Sequence, residues 1–243
     1  MQPRPHTGFA TVVFDCDSTL AGIEGIDELA RGDHADAIRA LTDAAMAGEI
    51  RLEDVYARRL EIIRPTREQV DAVGQLYVDA LVPDVREVVA ALRWLGKAVR
   101  IVSGGLLPAV ERVARELGLA VEDVAAVAID FDERGAYAGF EAASPLARSG
   151  GKEGVIRAWT LPRPALLVGD GATDLEARPA VDAVAAYMGV VWRAAVAEGA
   201  DFVLREKSLA PVLALAASDD DRARLRASEW ADVLARGDAA LAG

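Results

Sequence analysis

The sequence has little of what several kinds of protein chemistry require. Its 243 residues include one cysteine, Cys16, and two histidines. A single cysteine cannot close an internal disulfide, which fits a reducing compartment. So few thiols and imidazoles leave little material for zinc centres, thiol nucleophiles or histidine-based triads, and carboxylates become the leading candidates for chemistry. Basic residues are also outnumbered, 27 Lys and Arg against 39 Asp and Glu, for a formal charge of −12. Phosphate-backbone binding rests on clustered Lys and Arg, and no basic run is present, so no nucleic-acid partner is expected. Long apolar runs are missing too. Nothing approaches the roughly 18 uninterrupted apolar residues of a membrane span. The first apolar run stops at Asp15, too soon for the apolar core of a leader peptide. A soluble cytoplasmic protein is expected, as monomer or homodimer.

What is present is 52% hydrophobic and 27% charged residues, a balance that builds a packed core. Short β-branched runs alternate with helical patterns: residues 10–15, 97–103, 164–170, 181–187 and 201–204. Near-continuous apolar strands of this kind, each followed by an amphipathic stretch, predict an α/β fold with a parallel sheet covered on both faces. Between the first two strands the alternation breaks. From about Glu24 to Val82 only helix patterns occur, punctuated by Gly48, Pro65 and Pro83, which predicts an inserted helical subdomain over 21–83. The core is then expected over 1–20 and 84–217. Residues 124–140 read as two strands around a turn at Asp132 to Gly135, a small β-hairpin. A helical tail, 218–243, is expected to open with an acidic cap at Ser218 to Asp221 and to lie on the surface.

Chemistry-bearing residues gather where strands end. Asp15 and Asp17 close the first apolar run, and side chains two apart on an extended segment point the same way. Two carboxylates so placed either raise one another's pKa or share a cation. The same residues would also suit an acidic turn capping the next helix. After the third strand comes Gly169-Asp170-Gly171-Ala172-Thr173-Asp174. It approximates a dinucleotide fingerprint, but Asp174 stands where the third glycine belongs, and a carboxylate there would repel a pyrophosphate. Asp170 and Asp174 read instead as hard oxygen ligands that could hold Mg²⁺ together with Asp15, or as a glycine turn with a helix cap. Ser103-Gly104-Gly105 offers a hydroxyl and bare amides for a phosphoryl group, as many strand-to-helix turns do. Lys152 follows Gly150-Gly151 without the pattern of a P-loop. Together these parts comprise what phosphoryl transfer needs: a carboxylate nucleophile, an acid, charge neutralisation and a metal site.

In this order the motifs resemble those of the haloacid dehalogenase superfamily of phosphotransferases: DxDxT at 15–19, Ser103, Lys152 and GDGxTD at 169–174. Within that superfamily the chain is similar to the branch that hydrolyses O-phospho-L-serine. The similarity runs from about Thr11 to Leu215 through FDCDSTL, IEGIDELA, RLEIIRPTREQV, YAGF and SGGK.

The resemblance implies a Rossmann-like doubly wound sheet with a helical-bundle cap acting as a substrate lid. It implies that Asp15 is the nucleophile and a Mg²⁺ ligand, and that Asp17 is the acid and then the base, its carbonyl also reaching the metal. It implies further that Ser103, Gly104 and Lys152 hold phosphate, that Asp170 ligates Mg²⁺ and that Asp174 orients the metal shell. In the lid, Glu24 matches the residue that receives an ammonium group, Arg59 the one that clamps a carboxylate, and Met46 and Leu52 apolar positions that exclude water. Thr173, at the substrate, stands where many relatives carry asparagine. Without the resemblance, Glu24 reads as a first-turn helix acid and Arg59 as a snorkelling surface side chain. Two departures bear on selectivity: residues 124–130 lack an Asn-Arg pair common in the family, and Leu106 replaces a frequent aromatic. Other readings of the motifs are a related phosphatase or phosphotransferase for another small phosphorylated alcohol or amino acid, and a phospho-receiver switch. A receiver needs no lid and takes its metal ligands near the start of the chain.

Overall fold

The computed structural model describes residues 8–30 and 35–242. Six strands form one parallel sheet: β1 (Thr11–Phe14), β2 (Ala98–Leu106), β3 (Val124–Val127), β6 (Ala165–Gly169), β7 (Ala183–Tyr187) and β8 (Phe202–Leu204). Their order is β3-β2-β1-β6-β7-β8. Every residue of β1, β6 and β7 is buried, as expected of strands packed on both faces. The progression of strands reverses across β1, which pairs with β2 on one side and β6 on the other. In doubly wound sheets, ligands bind at the carboxyl ends of the strands flanking such a reversal. Asp15 and Asp170 directly follow β1 and β6 at that edge, whereas Ser103 lies within β2, which runs past the expected end at 103 to Leu106, so that Ser103 stands two residues beyond Ile101, the partner of Phe14.

Two features differ from the sequence pattern. Residues 124–131 are split: β3 joins the main sheet beside β2, and only β4 (Ile129–Phe131) pairs antiparallel with β5 (Tyr137–Phe140). An uninterrupted apolar run cannot reveal where a chain leaves one sheet for another. The second difference is the tail. It forms two helices, α11 (Asp219–Arg226) and α12 (Ala231–Ala242), rather than one surface helix. Both are seated on the molecule: Leu225, Val233 and Leu234 are buried, and α12 crosses the wholly buried α10 (Ala210–Ala216) so closely that a Cβ on Gly237 would lie 2.3 Å from the Ala210 carbonyl oxygen. The Ser218 cap takes its expected form, with Asp221 N–H donating to Ser218 Oγ over 3.1 Å.

Between β1 and β2 run α1 (Gly25–Leu29), α2 (Ala35–Met46), α3 (Leu52–Ile63), α4 (Arg67–Asp79) and α5 (Val85–Trp94). Local signals explain their ends. Arg64 closes α3 in the left-handed conformation before Pro65, and Thr66 opens α4 through a reciprocal capping box with Gln69. The chain enters and leaves α1–α4 side by side: Gly22 N–H donates to Ala80 O and Val82 N–H to Leu20 O. Helix α4 lies along α6 (Leu107–Glu116), where Gly74 lets the backbones approach; a Cβ there would meet Arg112 Cβ at 2.9 Å. Helix α3 reaches β2, where Tyr56 donates to Gly104 O, and α2 meets α8 (Ala172–Glu176), which also packs against α7 (Gly151–Ala158). The remaining helix, α9 (Ala194–Gly199), joins β7 to β8. Among the described residues no helix is long and apolar enough to cross a membrane.

Candidate active site

Asp15 follows β1 directly and is almost wholly buried. Its Oδ1 accepts the Cys16 N–H at 2.8 Å, and its Oδ2 lies 2.7 Å from Lys152 Nζ. The same ammonium is 2.8 Å from Asp174 Oδ1, while Asp174 Oδ2 accepts the Gly171 N–H. Gly169 is required here: a Cβ would stand 2.1 Å from the Asp174 carboxyl carbon. Asp170 accepts from Thr19 Oγ1 at 3.2 Å and pairs with Arg193. One oxygen from each of Asp15, Asp170 and Asp174 falls within a cluster whose members are all within 4.8 Å of one another, all three residues being buried.

The electrostatics of this cluster are unbalanced. Burial pushes the Asp15 carboxyl pKa well up, and the neighbouring Asp174, Asp170 and Asp17 carboxylates add to it against the pull of Lys152. Burial likewise lifts Asp170 to about 7 despite Arg193. Burial alone would lower Lys152, but Asp15 and Asp174 outweigh it and hold the ammonium above the usual lysine range. Three crowded carboxylates with hard oxygen donors, and neither nitrogen nor sulfur among them, suit a divalent cation of the Mg²⁺ or Ca²⁺ type.

Asp17 turns the other way. Its Oδ1 accepts two donors, the Gly25 N–H at 2.7 Å and the Tyr77 hydroxyl at 2.5 Å, and its Oδ2 accepts from Ser103 Oγ at 3.3 Å. The Gly105 N–H donates to Ser103 Oγ, which fixes the hydroxyl's direction. Glu24 accepts from Ser18 Oγ at 2.7 Å, and burial followed by the charges of Asp17 and Asp170 raises its pKa well above the usual range.

A single pocket connects these groups. It is lined by Asp15, Asp17, Glu24, Arg59, Lys152 and Thr173, with Met46, Leu52 and Gly104 also on its wall. Ser103, Asp170 and Asp174 are buried and contact its lining residues, Ser103 through Asp17, Asp174 through Lys152 and Asp170 in the cluster with Asp15. The helices above are tied to the strand ends: Tyr56 donates to Gly104 O at 2.8 Å, and Leu52 N–H to Ser149 Oγ at 3.1 Å. The structure thus gathers every side chain singled out from the sequence. It adds Tyr77, Arg193 and Thr42, which carry no motif. Of these only Arg193 had a usable signal, its place in the loop following the carboxyl end of β7.

A parallel sheet carrying an aspartate pair after its reversal strand, a lysine-bridged acidic cluster and an inserted helical cover define a hydrolase of the haloacid dehalogenase-like family, whose model matches residues 9–182; the chain belongs to that family. Within it the chain is similar to phosphoserine phosphatases. That of Mus musculus is 38% identical over 200 residues, covering 80% of this chain and 88% of that protein. That of Homo sapiens is 37% identical over 199 residues, with coverage of 80% and 88%. Among solved structures, a phospho-aspartyl intermediate analogue of phosphoserine phosphatase shares the fold with a TM-score of 0.73. It is 24% identical, over 85% of this chain and 98% of that one.

Proposed function

We propose that the chain is a Mg²⁺-dependent phosphatase that hydrolyses O-phospho-L-serine to serine and phosphate. The observation that carries this reading is the shared pocket, whose wall includes Asp15, paired with Lys152, together with Asp17, Glu24 and Arg59. The five groups match the five needs of the substrate: attack at phosphorus, proton transfer to the leaving oxygen, neutralisation of phosphate, and ligands for an ammonium and a carboxylate.

Asp15 attacks phosphorus; the phosphorus–serine oxygen bond breaks, and Asp17 donates its proton to the departing alkoxide. Asp17 then takes a proton from water, which attacks the aspartyl phosphate and releases inorganic phosphate, restoring Asp15. With two donors on Oδ1, the exchangeable proton of Asp17 belongs on Oδ2, the oxygen nearer Ser103. Ser103, Gly104 and Lys152 hold the phosphoryl oxygens, and Thr173 borders them. Asp15, Asp170, Asp174 and the Asp17 carbonyl would hold Mg²⁺, which supplies charge neutralisation and in-line orientation when bound. Glu24 receives the ammonium group, Arg59 the carboxylate through a guanidinium fork suited to it, and Met46 and Leu52 exclude water. In this reading residues 21–83 are the lid, 1–20 and 84–217 the core, and 218–243 a tail; the enzyme works in the cytoplasm as monomer or homodimer.

The test is phosphate release from phosphoserine, phosphoethanolamine and glycerol phosphate, with and without Mg²⁺, for the wild type and Asp15→Asn. Phosphoserine should be preferred, EDTA should abolish turnover, and Asp15→Asn should retain its fold while losing at least about 1,000-fold in kcat. Turnover near wild type in Asp15→Asn would refute the mechanism, and a preference for a substrate without a carboxylate would refute the choice of phosphoserine.

A further inference from the structure

Arg59 is buried in α3, yet it forms no ion pair with a described residue, and its Nε has no hydrogen-bond partner. Among the described residues its one hydrogen-bond partner is Thr42, on α2, whose Oγ1 accepts from Arg59 Nη1 at 2.7 Å. Thr42 is itself buried and its Oγ1 lies 2.5 Å from Asp27 Oδ1, with the Ile38 carbonyl farther off at 3.2 Å. The proton arrangement has one solution. A guanidinium only donates, so Thr42 accepts from Arg59 and spends its single proton on another acceptor. The nearer acceptor is the carboxylate of Asp27, on α1.

The three residues therefore form a directed chain across three helices, Arg59 to Thr42 to Asp27. We infer that Thr42 and Asp27 are positioning residues that aim the Arg59 guanidinium at the carboxylate of an amino-acid phosphate and so set the selectivity of the site. This rests on the reading of Arg59 as the carboxylate ligand. The physical case is one of geometry and charge. A carboxylate in direct contact with Arg59 would occupy the fork and compete with substrate. An intervening hydroxyl instead fixes one nitrogen, leaves Nε uncommitted and keeps the anionic charge of Asp27 one side chain away. The ring of Tyr56, with its centroid 5.5 Å from the guanidinium carbon, supports the side chain from another face.

The experiment compares KM and kcat for phosphoserine and for phosphoethanolamine, which lacks the carboxylate, in Thr42→Val, Thr42→Ser and Asp27→Asn. Valine preserves the shape and β-branching of threonine without its hydroxyl. For Thr42→Val, KM for phosphoserine should rise about tenfold with kcat nearly constant, the loss expected for one hydrogen bond to a charged group. The selectivity for phosphoserine over phosphoethanolamine should fall by the same factor. Thr42→Ser should restore it. Asp27→Asn keeps volume and an acceptor while removing charge, and should move KM the same way by about threefold, so the relay stays testable should Thr42→Val fail to fold. A parallel fall in kcat/KM for both substrates, or an unchanged KM for phosphoserine, would overturn the relay. Arg59→Ala separates the two readings. If it fails to discriminate between the substrates, the carboxylate role of Arg59 is wrong; if it discriminates and the Thr42 and Asp27 variants do not, the relay alone is wrong.

Discussion

The hydroxyl of Tyr77 lies 2.5 Å from Asp17 Oδ1, so a residue of α4 holds the carboxyl group to which proton transfer is assigned. Burial, and then the negative charge of Asp17, raise the Tyr77 pKa well above the usual phenol range, which keeps it a donor at any working pH. The contact is enforced by Gly25, where a Cβ would fall 2.0 Å from the same hydroxyl oxygen. Tyr77→Phe removes one charge-assisted hydrogen bond and leaves the ring in place. Its kcat for phosphoserine should fall about tenfold with little change in KM, measured by steady-state phosphate release. A rise in KM at constant kcat would place Tyr77 in substrate binding instead.

Filling the acidic cluster should stabilise the fold. Buried carboxylates that resist ionisation destabilise the empty site at neutral pH, and a bound cation relieves that repulsion. A divalent ion at one hundred times its dissociation constant contributes about 2.7 kcal/mol, equivalent to a rise in Tm of roughly 5–10 °C for a chain of this size. Thermal melts with and without Mg²⁺ should show the shift in the wild type and lose it in Asp170→Asn. An equal shift in that variant would locate the ion elsewhere.

The tail is fastened by two carboxylates of depressed pKa. Burial acts to raise Asp84, but hydrogen bonds from Arg236 and Ser208 prevail and hold it below the usual value. Burial is likewise outweighed at Asp221 by Lys97, 2.8 Å away, and by Ser218. Groups with depressed folded pKa values stabilise the fold above their unfolded pKa, here 3.8, and lose that contribution as pH falls through the lower folded value. Urea melts should show the wild type more stable than Asp84→Asn or Asp221→Asn at pH 7, with the difference closing below about pH 3.8. A difference that persists at pH 2 would show that charge is not the source.

Cys16 stands between Asp15 and Asp17, to which the proposed chemistry is assigned, yet it is fully buried in the core, and burial followed by Asp17 and Asp15 raises its thiol pKa well above the usual range. Only its backbone N–H meets the site, donating to Asp15. Cys16→Val should keep kcat within about twofold while costing about 1 kcal/mol of stability through overpacking. The native thiol should resist alkylation. Loss of turnover in a folded variant would show that the thiol takes part.

Residues within a few positions of one another were legible from the chain alone. Strand periodicity, the stop at Pro65 and the cap at Ser218 all follow from local backbone chemistry. So does the placement of Asp15 and Asp170 at strand ends, because an apolar run terminated by polar residues marks the edge of a buried sheet; Ser103 read as such an end too, but β2 continues through its glycines to Leu106. Arg59, by contrast, reads as an amphipathic snorkelling side chain when the resemblance is set aside, and only tertiary packing shows it buried with no ion pair to a described residue.

The sequence by itself determined the parallel sheet, the helical insert and the order of the acidic, hydroxyl, lysine and second acidic motifs, since each depends on residue type and short spacing. Tertiary structure alone decided that Tyr77 meets Asp17 across 60 positions, that Arg193 reaches Asp170 and that Thr42 anchors Arg59. These contacts join side chains of no distinctive pattern, and they exist because helices packed over the sheet edge leave buried charges that the nearest available donors must satisfy.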